Sequence, residues 1–135
     1  MTMRPLLALS ICLALTPAFA AEDVAAKLPP VSDKKGVTFA KDIKPILDKS
    51  CVGCHGPERT KGKLRLDSLE GVLKGGEHGK PVTPGKSAES GLVLVTAHVG
   101  NPDYWMPPKD NKGKIPPLTK EQVGLIRAWI DQGAK

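Results

Sequence analysis

The chain has 135 residues and a formal net charge of +6, which suits one small domain with extra segments at its ends and leaves no room for a second core. Its five aromatic residues, two Trp, two Phe and one Tyr, make a thin core, and small domains of this kind often depend on a metal, disulfides or a cofactor. The lysines are not clustered with aromatic residues, which argues against a nucleic-acid partner.

Residues 1–20 have the pattern of a cleaved export signal. Arg4 gives a short basic start, an apolar run follows from Leu6 to Leu15, and Ala18-Phe19-Ala20 has the small residues of a signal-peptidase site. The apolar run is shorter than the ~20 residues of a membrane-spanning helix, and no other stretch approaches that length. We therefore expect cleavage after Ala20 and a soluble periplasmic protein. Cys12 is not expected to carry a lipid, because a bulky residue precedes it.

Residues 21–36 are expected to form a flexible N-terminal linker. They contain Pro29-Pro30 and a polar run from Asp33 to Gly36, with little apolar periodicity. The domain itself is then predicted to occupy residues 37–135. Its patterns predict an all-α fold of three to five helices, joined by long loops rich in Gly and Pro.

The first helix of the domain is predicted between Thr38 and Ser50, with Phe39, Ile43, Ile46 and Leu47 on one face. Its start is open. Thr38 could cap it, but Pro45 would then interrupt the hydrogen-bond ladder, whereas a start near Asp42 places Pro45 in the first turn, where no bond is lost. In either case the helix delivers the residues after Ser50 at its C-terminal end.

Two shorter helices are predicted in the middle of the chain. Asp67 or Ser68 can cap the first, which continues through Lys74 and ends at Gly75-Gly76. Ser87 can cap the second, which continues to about Ala97. The positions expected to be buried on this second helix are Leu92, Val93 and Val95.

The C-terminal helix has the clearest signals. Residues 119–122 form a capping box, the apolar residues Val123, Ile126 and Ile130 share one face, and Gly133 lies past the end. Gly124 inside this helix costs up to ~1 kcal/mol relative to Ala. We expect it to allow a close crossing against the first helix, with an incidental glycine as the alternative.

Cys51-Val52-Gly53-Cys54-His55, directly after the first helix, has the spacing of a covalent haem site. The two thiols can add across the two vinyl groups of one haem, and the adjacent imidazole can bind the iron. The pattern therefore predicts one haem c attached at Cys51 and Cys54, with His55 as the first axial ligand.

The second axial ligand is expected to be Met106, in the Pro-rich loop from Asn101 to Pro117. It is the one methionine left after the predicted cleavage, and the proline that follows it stiffens the loop. Thioether sulfur favours ferrous iron and raises the reduction potential relative to bis-histidine ligation. His98 is the next candidate. His78 and His98 are otherwise expected at the surface or beside the pocket.

Together these motifs resemble the planctomycete-type cytochrome c domain, a branch of the class I cytochromes c. The resemblance covers about residues 37 to 135 and is carried by residues 51–55, 63–68, 75–76, 105–108 and 128–134. It implies a small, mostly helical cytochrome c fold around one covalent haem, with His55 and Met106 as axial ligands. Other residues expected at the haem pocket are Leu66, Tyr104, Trp105 and Pro107.

Other uses of the cysteines remain as alternatives. A zinc site would need Cys51, Cys54 and two histidines, but His78 and His98 lack the close spacing of a second ligand pair. A thioredoxin-like motif would need a βαβ context, which the sequence does not offer. A disulfide between Cys51 and Cys54 is chemically possible in an oxidising compartment.

Given a haem, three classes of function remain. An electron carrier has both axial positions filled by the protein. A haem enzyme needs an open distal position with acid–base residues, and a sensor needs Met106 to dissociate. The carrier, which is not an enzyme, is favoured because nothing in the sequence resembles a distal acid–base arrangement.

The charge bears on the partner. Removing Arg4 with the signal lowers the 20 Lys+Arg by one against 14 Asp+Glu, so the mature charge is +5, or about +3 with two ionised haem propionates. This excess is consistent with docking to an acidic periplasmic redox partner, and equally with a solvated lysine-rich surface.

Overall fold

The computed structural model describes residues 19–135, with side chains from residue 23 onward. The predicted export signal, apart from its last two residues, and Cys12 therefore lie outside the described residues. Five α-helices are present in the described part: α1 (Phe19–Lys27), α2 (Lys44–Ser50), α3 (Leu69–Lys74), α4 (Gly91–Thr96) and α5 (Lys120–Asp131). Residues 19–135 contain no β-strand, which confirms the predicted all-α class. None of these helices is long and apolar enough to cross a membrane.

The helix predicted between Thr38 and Ser50 begins in two steps, so both predicted starting points are partly correct. A π-helical turn, Phe39–Ile43, begins after Thr38, and its backbone leads directly into α2 at Lys44. The Thr38 N–H donates to Asp42 Oδ2 at 2.9 Å. Pro45 thereby falls in the first turn of α2, where its missing N–H costs no hydrogen bond.

Helix α5 lies at the centre of the core. Its capping box forms as predicted: Thr119 Oγ1 accepts from the Gln122 N–H at 3.2 Å, and the Thr119 N–H donates to Gln122 Oε1 at 2.9 Å. Trp129 on its buried face has no exposed area, and its ring lies 5.8 Å from that of Phe39. The other large, fully buried apolar side chains are Ile43, Leu47, Val72, Val82, Val93, Val123, Ile126 and Ile130.

The flexible linker predicted over residues 21–36 has a defined structure: residues 21–27 belong to α1, and residues 28–36, a segment that we call the N-terminal strap, lie against α5. Leu28 is buried in the core. The Ser32 N–H donates to Gly124 O at 3.0 Å, the Arg127 guanidinium donates to Pro29 O, and Gln132 Nε2 donates to Lys34 O at 2.8 Å. The strap is therefore held on α5 mainly by hydrogen bonds that its own backbone atoms make. The pattern of apolar residues in the sequence does not reveal such bonds.

Gly124 is the point of closest approach between the strap and α5. A Cβ atom at this position would lie 2.6 Å from Pro30 O, closer than real Cβ atoms come to a backbone oxygen. The glycine therefore does allow a close approach. Its neighbour is the strap, however, and not the first helix as predicted.

Both middle helices begin later than their first predicted caps. Ser68, rather than Asp67, caps α3, because its Oγ accepts from the Gly71 N–H at 3.1 Å while Asp67 pairs with Arg65. Ser87 does not cap α4. Its N–H and Oγ both donate to the Asp131 carboxylate at 2.9 Å, so residues 87–89 form a 3₁₀ turn and α4 starts at Gly91.

Candidate functional site

The segment Cys51 to His55 continues from the end of α2 as one further turn. The Cys51 N–H donates to Leu47 O at 2.8 Å, and the N–H groups of Cys54 and His55 both donate to Cys51 O, at 3.0 and 2.9 Å. Cys51 is buried, while Cys54 and His55 are half-buried. The turn brings both thiols and the imidazole to the wall of one cavity.

The orientation of His55 is fixed by the loop that follows. Its Nδ1 lies 3.0 Å from Lys61 O. Because a carbonyl oxygen can only accept, the ring proton is on Nδ1 and Nε2 keeps its lone pair. Burial lowers the pKa of His55 below its usual 6.5, although hydrogen bonds with the Lys61 and Leu64 backbone oppose the shift. The neutral form with a free Nε2 is the form in which a histidine binds iron.

The two thiols are free cysteines and do not form the disulfide that was an alternative. Burial raises the pKa of the Cys51 thiol to about 12, and the neighbouring Cys54 adds to the shift. Cys51 is therefore neutral at physiological pH. A thioether, the product of addition to a vinyl group, carries no charge and suits the same buried position.

The cavity has a volume of about 480 Å³ and opens to solvent. Met106 lines it, far along the chain from the cysteines, and the Met106 N–H donates to Val95 O at the end of α4 at 3.0 Å. The apolar side chains that line it with Met106 are Leu64, Leu66, Pro81, Leu92, Val95, Pro107, Pro108 and Ile115. Leu92 and Val95 are among the buried helix positions that the sequence predicts. Leu64 and Ile115 had no comparable signal, because they lie in loops.

The expected pocket residues divide into two groups. Leu66, Tyr104 and Pro107 line the cavity, as does His78. Trp105 does not line it. Its ring instead stacks on that of His98, with centroids 4.8 Å apart. His98, the second candidate for the distal ligand, is likewise absent from the cavity wall.

The residues present fit a haem. The cavity is within the range of cofactor sites, its wall is mostly apolar, and a thiol pair, an imidazole and a thioether all reach it. Lys61 and Lys80 also line it, whereas none of its described lining residues is a carboxylate. A cavity with two ammonium groups and no acidic side chain suits a ligand that carries carboxylates, as the haem propionates do.

A metal site built from protein ligands alone is not supported. Among residues 19–135, no group of three or more His, Cys, Asp or Glu side chains is arranged to hold a metal ion. The zinc alternative needed four such ligands around Cys51 and Cys54.

Comparison with known proteins bears directly on this segment. Residues 51–110 match the family model described as Planctomycete cytochrome C. This part of the chain is therefore similar to the planctomycete cytochrome c domain. Neither the curated proteins nor the solved structures that were compared with the chain gave a match.

The cytochrome c match spans both Cys51–His55 and Met106, so every expected haem-attachment and axial residue lies inside it. The match does not include α2, which ends before residue 51, or α5, which begins after residue 110. The resemblance described from the sequence extends further on both sides, over about residues 37 to 135. Similarity to a cytochrome c family suggests covalent haem c and haem-based electron transfer.

Proposed function

We propose that this chain is an exported mono-haem cytochrome that transfers single electrons between redox partners through a haem c attached at Cys51 and Cys54. In this proposal His55 and Met106 are the axial ligands. The observation that carries it is the presence of both thiols, His55 and Met106 on the wall of the same mostly apolar cavity.

The chain's own residues support a carrier in three ways. The hydrogen bond from His55 Nδ1 to Lys61 O fixes the ring and leaves Nε2 free to bind. The bond from the Met106 N–H to Val95 O ties the Met106 loop to α4. The mostly apolar wall suits the apolar faces of a haem. A haem held by the imidazole of His55 and the thioether of Met106 would supply one-electron chemistry, and the two protein ligands would leave no binding position for a substrate.

Purified protein with its haem attached provides the first test. A pyridine haemochrome spectrum together with intact mass should give one haem c per chain, with residues 1–20 absent from periplasmic protein. Met106→Ala should abolish the weak long-wavelength absorption of ferric iron bonded to methionine sulfur, and should lower the reduction potential. An unchanged spectrum in this variant would refute the ligand assignment.

Carbon monoxide separates the carrier from its main alternative, a haem-based sensor or small haem enzyme in which Met106 is displaced. Stable ligation by Met106 predicts slow binding of carbon monoxide to the reduced protein at neutral pH, and fast binding in Met106→Ala. Leu64→Ala is a suitable control because Leu64 lines the same cavity without a ligating atom. Fast binding by the unmodified protein would favour the sensor or the enzyme.

We further propose that the partner is a periplasmic protein with an acidic docking surface. Lys61 and Lys80 line the cavity, and the Lys109 ammonium lies 4.9 Å from the ring centre of Trp105, next to Met106 in sequence. Electron exchange with a small anionic redox reagent should therefore slow as ionic strength rises, and exchange with a cationic reagent should quicken. The opposite salt dependence would contradict an acidic partner.

A further inference from the structure

The C-terminal end of α4 has an unusual residue at its stop position. After Ala97, His98 adopts the left-handed backbone conformation with φ +56°. The Val99 N–H donates to Leu94 O at 2.9 Å and the His98 N–H donates to Val95 O at 3.4 Å. This is the Schellman arrangement, in which glycine normally occupies the left-handed position because other side chains are strained there.

The side chain of His98 makes a specific contact that a glycine could not. Its ring stacks on that of Trp105 with a centroid separation of 4.8 Å and an interplanar angle of 5°. His98 Nε2 and Trp105 Nε1 are both buried without a hydrogen-bond partner. The stack is therefore present although the backbone of His98 is strained and two polar ring atoms have no hydrogen-bond partner. Residues with strained backbones and buried unpaired polar atoms are often found at functional positions.

The stack lies beside the predicted distal ligand. Trp105 precedes Met106, and the Met106 N–H donates at 3.0 Å to Val95 O, the carbonyl that also accepts from the His98 N–H. The end of α4 thus contacts the Met106 loop twice, once through a backbone bond and once through the rings. We call these two contacts the α4 clamp.

We propose that His98 is a positioning residue that holds the Met106 loop against the haem cavity through its stack on Trp105. The proposal rests on the proposed function, because Met106 matters to the haem only as its ligand. His98 itself does not touch the cavity. The chain therefore has histidine where helix termination alone favours glycine, and its ring gives a stacked contact with Trp105 that glycine could not give.

His98→Gly separates this role from a purely structural one. Glycine relieves the left-handed strain, so the global stability should stay the same or rise. The clamp nevertheless predicts looser ligation: carbon monoxide should bind the reduced protein about two- to tenfold faster, the range expected for loss of one aromatic pair. Hydrogen exchange of the Met106 amide should quicken by a similar factor. A helix-end role alone predicts higher stability with neither change.

His98→Phe is the matched rescue, because it keeps a flat ring and also keeps the backbone strain. It should hold carbon monoxide binding and Met106 amide exchange within about twofold of the unmodified protein, a difference smaller than an aromatic pair contributes. Ala134→Gly is the control, since Ala134 has the same left-handed φ of +56° but neither lines the cavity nor takes part in the stack. Trp105→Leu, which removes the other ring, should reproduce the effect of His98→Gly.

The outcomes distinguish this proposal from the one on which it rests. If the unmodified protein lacks the methionine–iron absorption, the ligand assignment fails, and the clamp is then judged by Met106 amide exchange alone. If that absorption is present but both His98→Gly and Trp105→Leu leave carbon monoxide binding and amide exchange unchanged, the clamp is overturned and the ligand assignment stands.

Discussion

Gly124→Ala tests whether the N-terminal strap is part of the folded domain. Replacing glycine by alanine inside an exposed helix normally raises stability by about 1 kcal/mol. Here the new Cβ would meet Pro30 O at 2.6 Å, so the strap or α5 must move. The sign of the stability change therefore distinguishes a tight contact from an incidental glycine.

The expected loss follows from what the strap contributes. Releasing it exposes Leu28, which is now 8% exposed, and burial of a leucine contributes about 1.5–3 kcal/mol. It also breaks the bonds from Ser32 to Gly124 and from Arg127 to Pro29, at about 0.5–1.5 kcal/mol each. Regained chain entropy and the helix preference of alanine offset part of this loss. We expect a net destabilisation of about 1–3 kcal/mol.

Denaturant unfolding of the haem-containing protein measures this change. Gly91→Ala, at the first residue of α4, is the control, because its Cβ would come no closer than 3.9 Å to Pro81 O. Trypsin cleavage after Lys34 and Lys35 should become faster in Gly124→Ala and stay unchanged in the control. If Gly124→Ala is as stable as the unmodified protein or more stable, the reasoning about the strap is wrong.

Three further changes test other contacts. Asp131→Ala removes both acceptors of buried Ser87 and should destabilise the domain by about 2–3 kcal/mol in denaturant unfolding, with Asp131→Asn intermediate. The hydrogen bond from Arg65 lowers the pKa of Asp67 to about 2. The free energy of unfolding of the unmodified protein should therefore exceed that of Asp67→Asn by its largest amount above pH 4, and the difference should disappear as the pH falls towards 2. A difference that does not change with pH would contradict this. Gly76→Ala places a Cβ 2.4 Å from Gly62 O and should lower the melting temperature, whereas an unchanged value would mean that this loop yields freely.

Local signals in the sequence predicted the fold best where one short segment determines the structure. The capping box at Thr119 and the haem motif at Cys51 each depend on residues only a few positions apart, and the structure has both the box and a single turn that carries both thiols and His55. The apolar face of α5 needed only the helical period.

The strap and the start of α4 depend on partners distant in the sequence, and there the predictions differ from the structure. Ser87 has the composition of a helix cap, but Asp131 provides acceptors that only the tertiary fold brings near. Arg127 and Gln132 likewise bind carbonyl groups of the strap, which every residue carries whatever its type. No pattern in one sequence marks such bonds in advance. The same holds for the stack of His98 on Trp105.

The buried core and the candidate haem cavity share only Cys51, Leu66 and Leu92 among their described residues. The fully buried side chains around Trp129 do not line the cavity, whose wall comes largely from loops and the short helix α4. A cavity of about 480 Å³ left without its cofactor would cost up to about 12 kcal/mol at the penalty measured for dry cavities, and less here because water can enter. That limit is comparable with the whole stability of a small domain, about 5–15 kcal/mol. The haem is therefore expected to stabilise the loops that bind it more than the core around α5. Because Met106 lies in one of these loops, a local contact such as the α4 clamp should have its largest effect on ligation there.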